Sequence, residues 1–188
     1  MNKYFIGFPI SPDWENKYHE ITRNLKIFYG INISKIVPHI TIIPPFELAD
    51  EAIKRFIAWI DGAHNVMQSQ NRFKYKWRIS GYIELHHQGQ SFGWRIEPYT
   101  SPSKEFVHWI YSAAIKHAIQ PAKSIEQLFN SSHITLIKEL KDPELFSRAV
   151  RYIERNYPLQ YEVISVGSLH VWKRENNTWI VHRKFDEI

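Results

Sequence analysis

The chain has no cysteine among its 188 residues. Disulfides and a thiol nucleophile are thereby excluded, and a structural zinc site loses its usual ligands. No apolar run approaches the roughly 18 residues that a membrane span needs. The opening stretch MNKYFIGFPISPDW is interrupted by Pro9 and Pro12 too early for a secretory leader. A cytoplasmic protein with no membrane partner is the expectation. Glycine is scarce, at seven residues, and no glycine-rich phosphate loop is present. Nor is there a Lys-x-Asp-Gly sequence of the kind that nucleotidyl-transferring enzymes carry, so ATP-driven chemistry is not expected. H-x-H and H-E-x-x-H are missing too. The adjacent His86 and His87 would point to opposite faces of a strand, a poor metal site. No metal and no cofactor are expected.

What is present is a globular composition, 44% hydrophobic and 15% aromatic. The length suits one large domain or two small ones, with enough chain for a sizeable core. The formal charge is +5, a modest excess that fits a polyanionic partner without requiring one.

Punctuation and periodicity give the elements. KYFIGFPI reads as a strand ended by Pro9. Residues 11–30 read as a helix with Pro12, Asp13 and Glu15 in its first turn and Gly30 at its stop. Its inward stripe is Trp14, Tyr18, Ile21, Leu25 and Phe28. VPHITIIPPF is a strand cut short by Pro44-Pro45. ADEAIKRFIAWIDG is a helix with Ile53, Phe56, Ile57 and Ile60 inward. Two strands follow, over 71–87 and 90–98, joined by the turn around Gln88-Gly89-Gln90. The pattern then restarts. FGWRIEPYTSPSKEFVHWIYSAAIKHAI has the order of YFIGFPISPDWENKYHEITRNLKIF: an aromatic strand, a Ser-Pro step and an amphipathic helix, here with Phe106, Ile110, Ala113 and His117 in register. SHITLIKEL is the matching strand. DPELFSRAVRYIERNY is a helix led by Pro143, with Leu145, Phe146, Ala149, Val150 and Ile153 inward. LQYEVISVGSLHVWK and NTWIVHRKF close the chain as two strands joined by residues 174–177. The expectation is an α+β chain of 1–188 forming a single domain of two tandem pseudo-repeats, about 1–90 and 91–188. Its two pseudo-symmetric lobes would each be an antiparallel sheet with helices on the outer face, enclosing a central cleft.

The repeat carries a motif, PHITII at 38–43 and SHITLI at 132–137. Strand alternation puts His39, Thr41 and Ile43 on one face and Ile40 and Ile42 on the other. His133, Thr135 and Ile137 behave likewise. With ten histidines in the chain, chance supplies roughly 0.3 H-x-T tripeptides. Two of them at equivalent places in a repeat are a signal, although ordinary core or edge histidines would be the bland reading. Two-fold pseudo-symmetry would oppose the imidazoles across a cleft with the hydroxyls between them. That layout suits in-line phosphoryl transfer. One neutral histidine removes a proton from the attacking oxygen, the other supplies one to the leaving oxygen, and the threonines hold the non-bridging oxygens.

Paired H-x-T-hydrophobic motifs in tandem lobes resemble the two-histidine phosphoesterase superfamily. Its LigT-like branch includes the bacterial 2′-5′ RNA ligases and 2′,3′-cyclic phosphodiesterases. The resemblance covers nearly the whole chain, from YFIGFPIS to the closing YEVISVGSLHVWKRENNTWIVHRKF. It implies His39 and His133 as catalytic residues, Thr41 and Thr135 as phosphate-binding residues, and an RNA or nucleotide substrate. Many members have an arginine shortly after the second threonine, where this chain has Lys138. Lysine keeps the charge but loses the bidentate fork, so Lys138 is a substrate-binding candidate of weaker kind. A monomer is expected.

Other features admit two readings. Phe46, just past the first motif, would either stack on a base at the cleft mouth or join the core. Arg72, Lys74, Lys76 and Arg78 alternate with Phe73, Tyr75, Trp77 and Ile79. They form either a stripe that tracks a nucleic-acid backbone or the solvated face of a sheet strand. The rival to an enzyme is a non-catalytic RNA or nucleotide binding module on the same scaffold. Two opposed proton carriers favour the enzyme, because binding alone does not need them.

Overall fold

The computed structural model describes residues 1–31, 37–68, 75–86, 89–121, 123–158 and 161–185. In chain order the elements are β1 (Asn2–Pro9), α1 (Pro12–Tyr29), β2 (His39–Leu48), α2 (Asp50–Gln68), β3 (Lys76–His86), β4 (Gln90–Pro98), α3 (Ser101–Lys116), α4 (Ile125–Ser131), β5 (His133–Leu140), α5 (Pro143–Asn156), β6 (Val163–Ser165), β7 (His170–Glu175) and β8 (Thr178–Lys184). Two four-stranded antiparallel sheets result, in the orders β2-β1-β7-β8 and β5-β4-β3-β6. This is the expected α+β architecture of two lobes. No helix of the described residues is long and apolar enough to cross a membrane.

Each sheet has one motif strand at an edge and β1 or β4 beside it. The next strand inward comes from the other half of the sequence: β7 joins β1, and β3 joins β4. The chain thus exchanges strands between lobes, which ties them together. The stretch LQYEVISVGSLHVWK is accordingly not one strand. It breaks at Val166–Leu169 into β6, which pairs with β3, and β7, which pairs with β1.

The helix ends follow local chemistry. Gly30 adopts φ 66°, and its N–H bonds to the Lys26 carbonyl while that of Ile31 bonds to the Leu25 carbonyl, closing α1. The Asp142 side chain accepts from the Glu144 and Leu145 N–H groups ahead of α5. The short helix α4 was not legible in the sequence pattern; Ser124 and Gln127 hold its start with a reciprocal capping box. Along α1, Tyr18, Ile21 and Leu25 are buried and Trp14 packs partly, but Phe28 is 60% exposed. The stripe ends before the helix does. Asn176 and Asn177, at φ 47° and 62°, form the β7–β8 turn, conformations that asparagine tolerates better than most residues.

Two expectations about the first motif strand are corrected. Pro44-Pro45 do not end β2, which continues to Leu48. As an edge strand it needs only one row of ladder bonds, and the register slips by one residue between Tyr4↔Phe46 and Ile6↔Ile43 to accommodate the prolines. A second bulge follows the threonine in both lobes. Ile6 pairs with Ile43 but Gly7 with Thr41, leaving Ile42 extra; Phe92 pairs with Ile137 but Gly93 with Thr135, leaving Leu136 extra. The bulge turns Ile43 and Ile137 into the core with Ile42 and Leu136, all four at most 2% exposed. They do not share the face of the histidines.

Of the basic stripe on β3, Arg72, Phe73 and Lys74 lie outside the described residues, as do His87 and Gln88. Lys76 is exposed, Arg78 is ion-paired with Glu97, and Tyr75, Trp77 and Ile79 are buried. The described part is the outer face of a sheet strand.

Candidate active site

The two motif strands bring their polar residues to one place. His39, Thr41, His133, Thr135 and Lys138 line a single cavity of about 330 Å³, together with Tyr18 and Pro45. Alternation holds over the first four residues of each strand: His39, Thr41, His133 and Thr135 are half-buried while Ile40, Ile42, Ile134 and Leu136 are buried. The core anchors each strand through these aliphatic side chains and so fixes the polar side chains on the opposite face.

The imidazoles are held alike. His39 Nδ1 lies 2.8 Å from the Val37 carbonyl oxygen, and His133 Nδ1 lies 2.7 Å from that of Ser131. A carbonyl only accepts, so in each ring Nδ1 carries the proton and donates it. Nε2 is then the basic nitrogen, and neither Nε2 has a partner among the described residues. Phe5 and Trp172 pack on His39 at centroid distances of 4.8 and 5.4 Å, which restricts its rotation.

Burial holds His39 below the usual histidine value, and the neighbouring His133 pushes the same way, against the hydrogen bond to Val37. Burial likewise lowers His133, with Lys123 adding to it and the bond to Ser131 opposing it. Both rings therefore rest neutral near pH 7. An anion between them would reverse the effect, because negative charge favours the imidazolium.

Tyr18 is a residue that the sequence did not single out. It looked like one member of an apolar stripe, yet its hydroxyl donates to the Thr135 carbonyl at 3.1 Å. Burial pushes its pKa up to about 12, so it stays protonated. A tyrosine inside such a stripe is itself a hint, since a buried phenol needs a polar partner. Lys123 is the other: it donates to Ser131 Oγ at 2.7 Å, on the residue whose carbonyl holds His133. Lys138 stands at the rim, exposed and 3.7 Å from Glu139. Phe46 takes the second of its two readings. It is 5% exposed, packs against Tyr4 and is not part of the cavity, so a base-stacking role is dropped.

The close approach of the strands is built in. Gly7 and Gly93 sit opposite Thr41 and Thr135, and a β-carbon on either would run into the carbonyl oxygen of Ile40 or Ile134. Among the described residues no group of three or more His, Cys, Asp or Glu side chains is gathered.

No family model and no curated protein matches the chain. Solved structures do. A structure of Kluyveromyces marxianus Usb1 with uridine monophosphate aligns over 96% of both chains at 9% identity, with a TM-score of 0.49. A crystal structure of a phosphoesterase aligns over 98% of both chains at 10% identity, with a TM-score of 0.56. Over nearly its whole length, this chain is folded as that phosphoesterase is.

Proposed function

We propose that this protein is a metal-independent phosphoesterase. It hydrolyses, or reversibly ligates, a 2′,3′-cyclic phosphate or a 2′-5′ phosphodiester in RNA or nucleotides. The observation that carries the reading is the paired tautomer. Two imidazoles in one cavity each spend Nδ1–H on a backbone carbonyl two residues upstream and keep Nε2 for chemistry.

In hydrolysis, Nε2 of one histidine takes a proton from water as the water oxygen bonds to phosphorus. The phosphorus–oxygen bond to the ribose breaks, and the other histidine, protonated at Nε2, delivers its proton to that oxygen. The products are a phosphomonoester and a ribose hydroxyl. The proton gained and the proton lost balance, and exchange with solvent resets the pair. Thr41 and Thr135 donate to the non-bridging oxygens where charge accumulates. Lys138 adds a point charge at the mouth. The neutral resting state of both histidines leaves one free to accept a proton, while the bound phosphate favours the charged form of the other.

The test is a panel of 2′,3′-cyclic nucleotides, 2′-5′ and 3′-5′ dinucleotides and cyclic oligonucleotides, with the His39→Ala/His133→Ala double variant as control. Turnover that persists in EDTA and disappears in the control is expected. No turnover of any member, with binding retained, would make the protein a nucleotide-binding module instead.

A further inference from the structure

Away from the histidine cavity, α1 and α5 enclose a second hollow of about 350 Å³, lined by Tyr29, Arg148, Arg151, Tyr152, Arg155 and Asn156. We infer that this hollow is a binding tract for single-stranded RNA, holding the strand whose reacting end lies between His39 and His133. The inference rests on the reading of that cavity as a phosphoesterase site.

The charge comes from one helix face. Arg148, Arg151 and Arg155 are spaced by three and four residues, so they project from the same side of α5. All three are exposed, and none takes part in an ion pair among the described residues. Glu144 lies one turn before Arg148, but the Arg148 guanidinium instead sits 5.8 Å from the Tyr29 ring centroid. The three arginines cover ~10.5 Å of helix axis, over which a stacked strand presents about three phosphates.

The rings supply the other half of the recognition. Tyr29 and Phe28 each approach Tyr152 at 5.6 Å. Phe28 is left 60% exposed while it packs on Tyr152, a residue of the hollow's lining. Flat rings among guanidinium groups match a nucleic-acid strand, whose bases stack and whose phosphates pair with arginine. An acidic peptide would use the cations but not the exposed ring.

The hollow and the histidine cavity share helix α1. Tyr18 lines the histidine cavity and Tyr29 lines the hollow. They are eleven residues apart on α1, ~16 Å along the axis, and the buried Ile21, Thr22 and Leu25 lie between them, so a strand that reaches both sites passes over the outside of the helix. At least about five stacked nucleotides are needed for that span. Mononucleotide substrates would not reach the arginines; oligonucleotides would.

The experiment compares fluorescein-labelled single-stranded RNA ten-mers, by anisotropy across a salt series, with turnover of 2′,3′-cyclic mononucleotides. The triple variant Arg148→Gln/Arg151→Gln/Arg155→Gln should bind the ten-mer at least tenfold more weakly. Its log-affinity against log-salt slope should be shallower by about 2, since each phosphate contact on a single strand contributes ~0.7. Mononucleotide turnover should be unchanged. Phe28→Ser should also weaken the ten-mer severalfold, at unchanged salt slope. A control with Arg55→Gln/Lys104→Gln/Lys116→Gln removes the same charge elsewhere and should bind normally. Equal losses in the control, an unchanged ten-mer affinity in the arginine variant, or full competition by a glutamate peptide with no effect of Phe28→Ser would each overturn the tract. If mononucleotides are not turned over at all but the arginine-specific loss remains, the phosphoesterase reading fails and the RNA tract stands.

Discussion

Gly7 lies so close to Ile40 across the β1–β2 ladder that it has no room for a side chain. Gly93 stands in the same relation to Ile134 across β4–β5. In each case the obstructing atom is the carbonyl oxygen between a motif histidine and its threonine. Neither glycine has the positive φ of a turn glycine, so the requirement is one of space.

Gly7→Ala and Gly93→Ala should therefore push a motif strand off its neighbour. Overpacking of a backbone contact costs about 1–3 kcal/mol, which urea denaturation would read. Because the displaced segment carries His39 and Thr41, or His133 and Thr135, turnover should fall further than stability alone accounts for. Wild-type turnover in a stable Gly7→Ala protein would show that the close approach does not position the site.

Thr41→Val and Thr135→Val test the hydroxyls. Valine suits a strand and keeps the shape, so the fold should persist with unchanged circular dichroism. Loss of a donor to the phosphoryl oxygens commonly costs about 10²–10³ in kcat. Unchanged kcat in both variants would give the hydroxyls another purpose.

Much of this architecture was legible because local chemistry decides it. Gly30, Pro143 and the two asparagines at 176–177 act within a few residues of themselves. The paired H-x-T motifs were legible because alternation and repetition are properties of the string. What the sequence misplaced depends on partners far along the chain. Pro44-Pro45 looked like a strand end because nothing local says that β2 is an edge. Ile43 and Ile137 looked outward because a bulge is set by the neighbouring strand. Phe28 looked inward because periodicity does not show where the core stops. Residues 161–173 looked like one strand because only topology sends their halves to different sheets. Phe46 was undecided for the same reason, and Tyr18 was hidden by its resemblance to its apolar neighbours.

Histidine titration gives an independent check. Burial lowers His39, His133 and His170. In the NMR spectrum of the free protein both motif histidines should titrate below the ordinary value near 6.5. Inorganic phosphate should raise both. The sign for stability follows. Below pH 6.5 the unfolded chain binds protons that the folded histidines refuse, so stability should fall as the pH drops from about 6.5 through the depressed folded values. His39→Gln should flatten that dependence. Histidines titrating at or above 6.5 without ligand would contradict the buried, neutral resting state.

The two histidines should act as one unit. A proton leaves the nucleophile on one side as another reaches the leaving oxygen on the other, so a lone histidine has half a reaction to assist. General acid–base help from one side chain is worth roughly 10²–10⁴, and His39→Ala and His133→Ala should each lose at least that. The double variant should lose little more than the worse single one, because groups that act together are strongly non-additive. The wild-type rate should be bell-shaped in pH, one ring being neutral while the other is charged. The acidic limb should lie low, because burial opposes protonation of either ring. Each single variant should lose one limb. His39→Gln and His133→Gln should not rescue, since an amide offers no basic nitrogen. Multiplicative losses in the double variant would mean that the rings work separately, and the concerted proton transfer would have to be abandoned even if the cavity still bound phosphate.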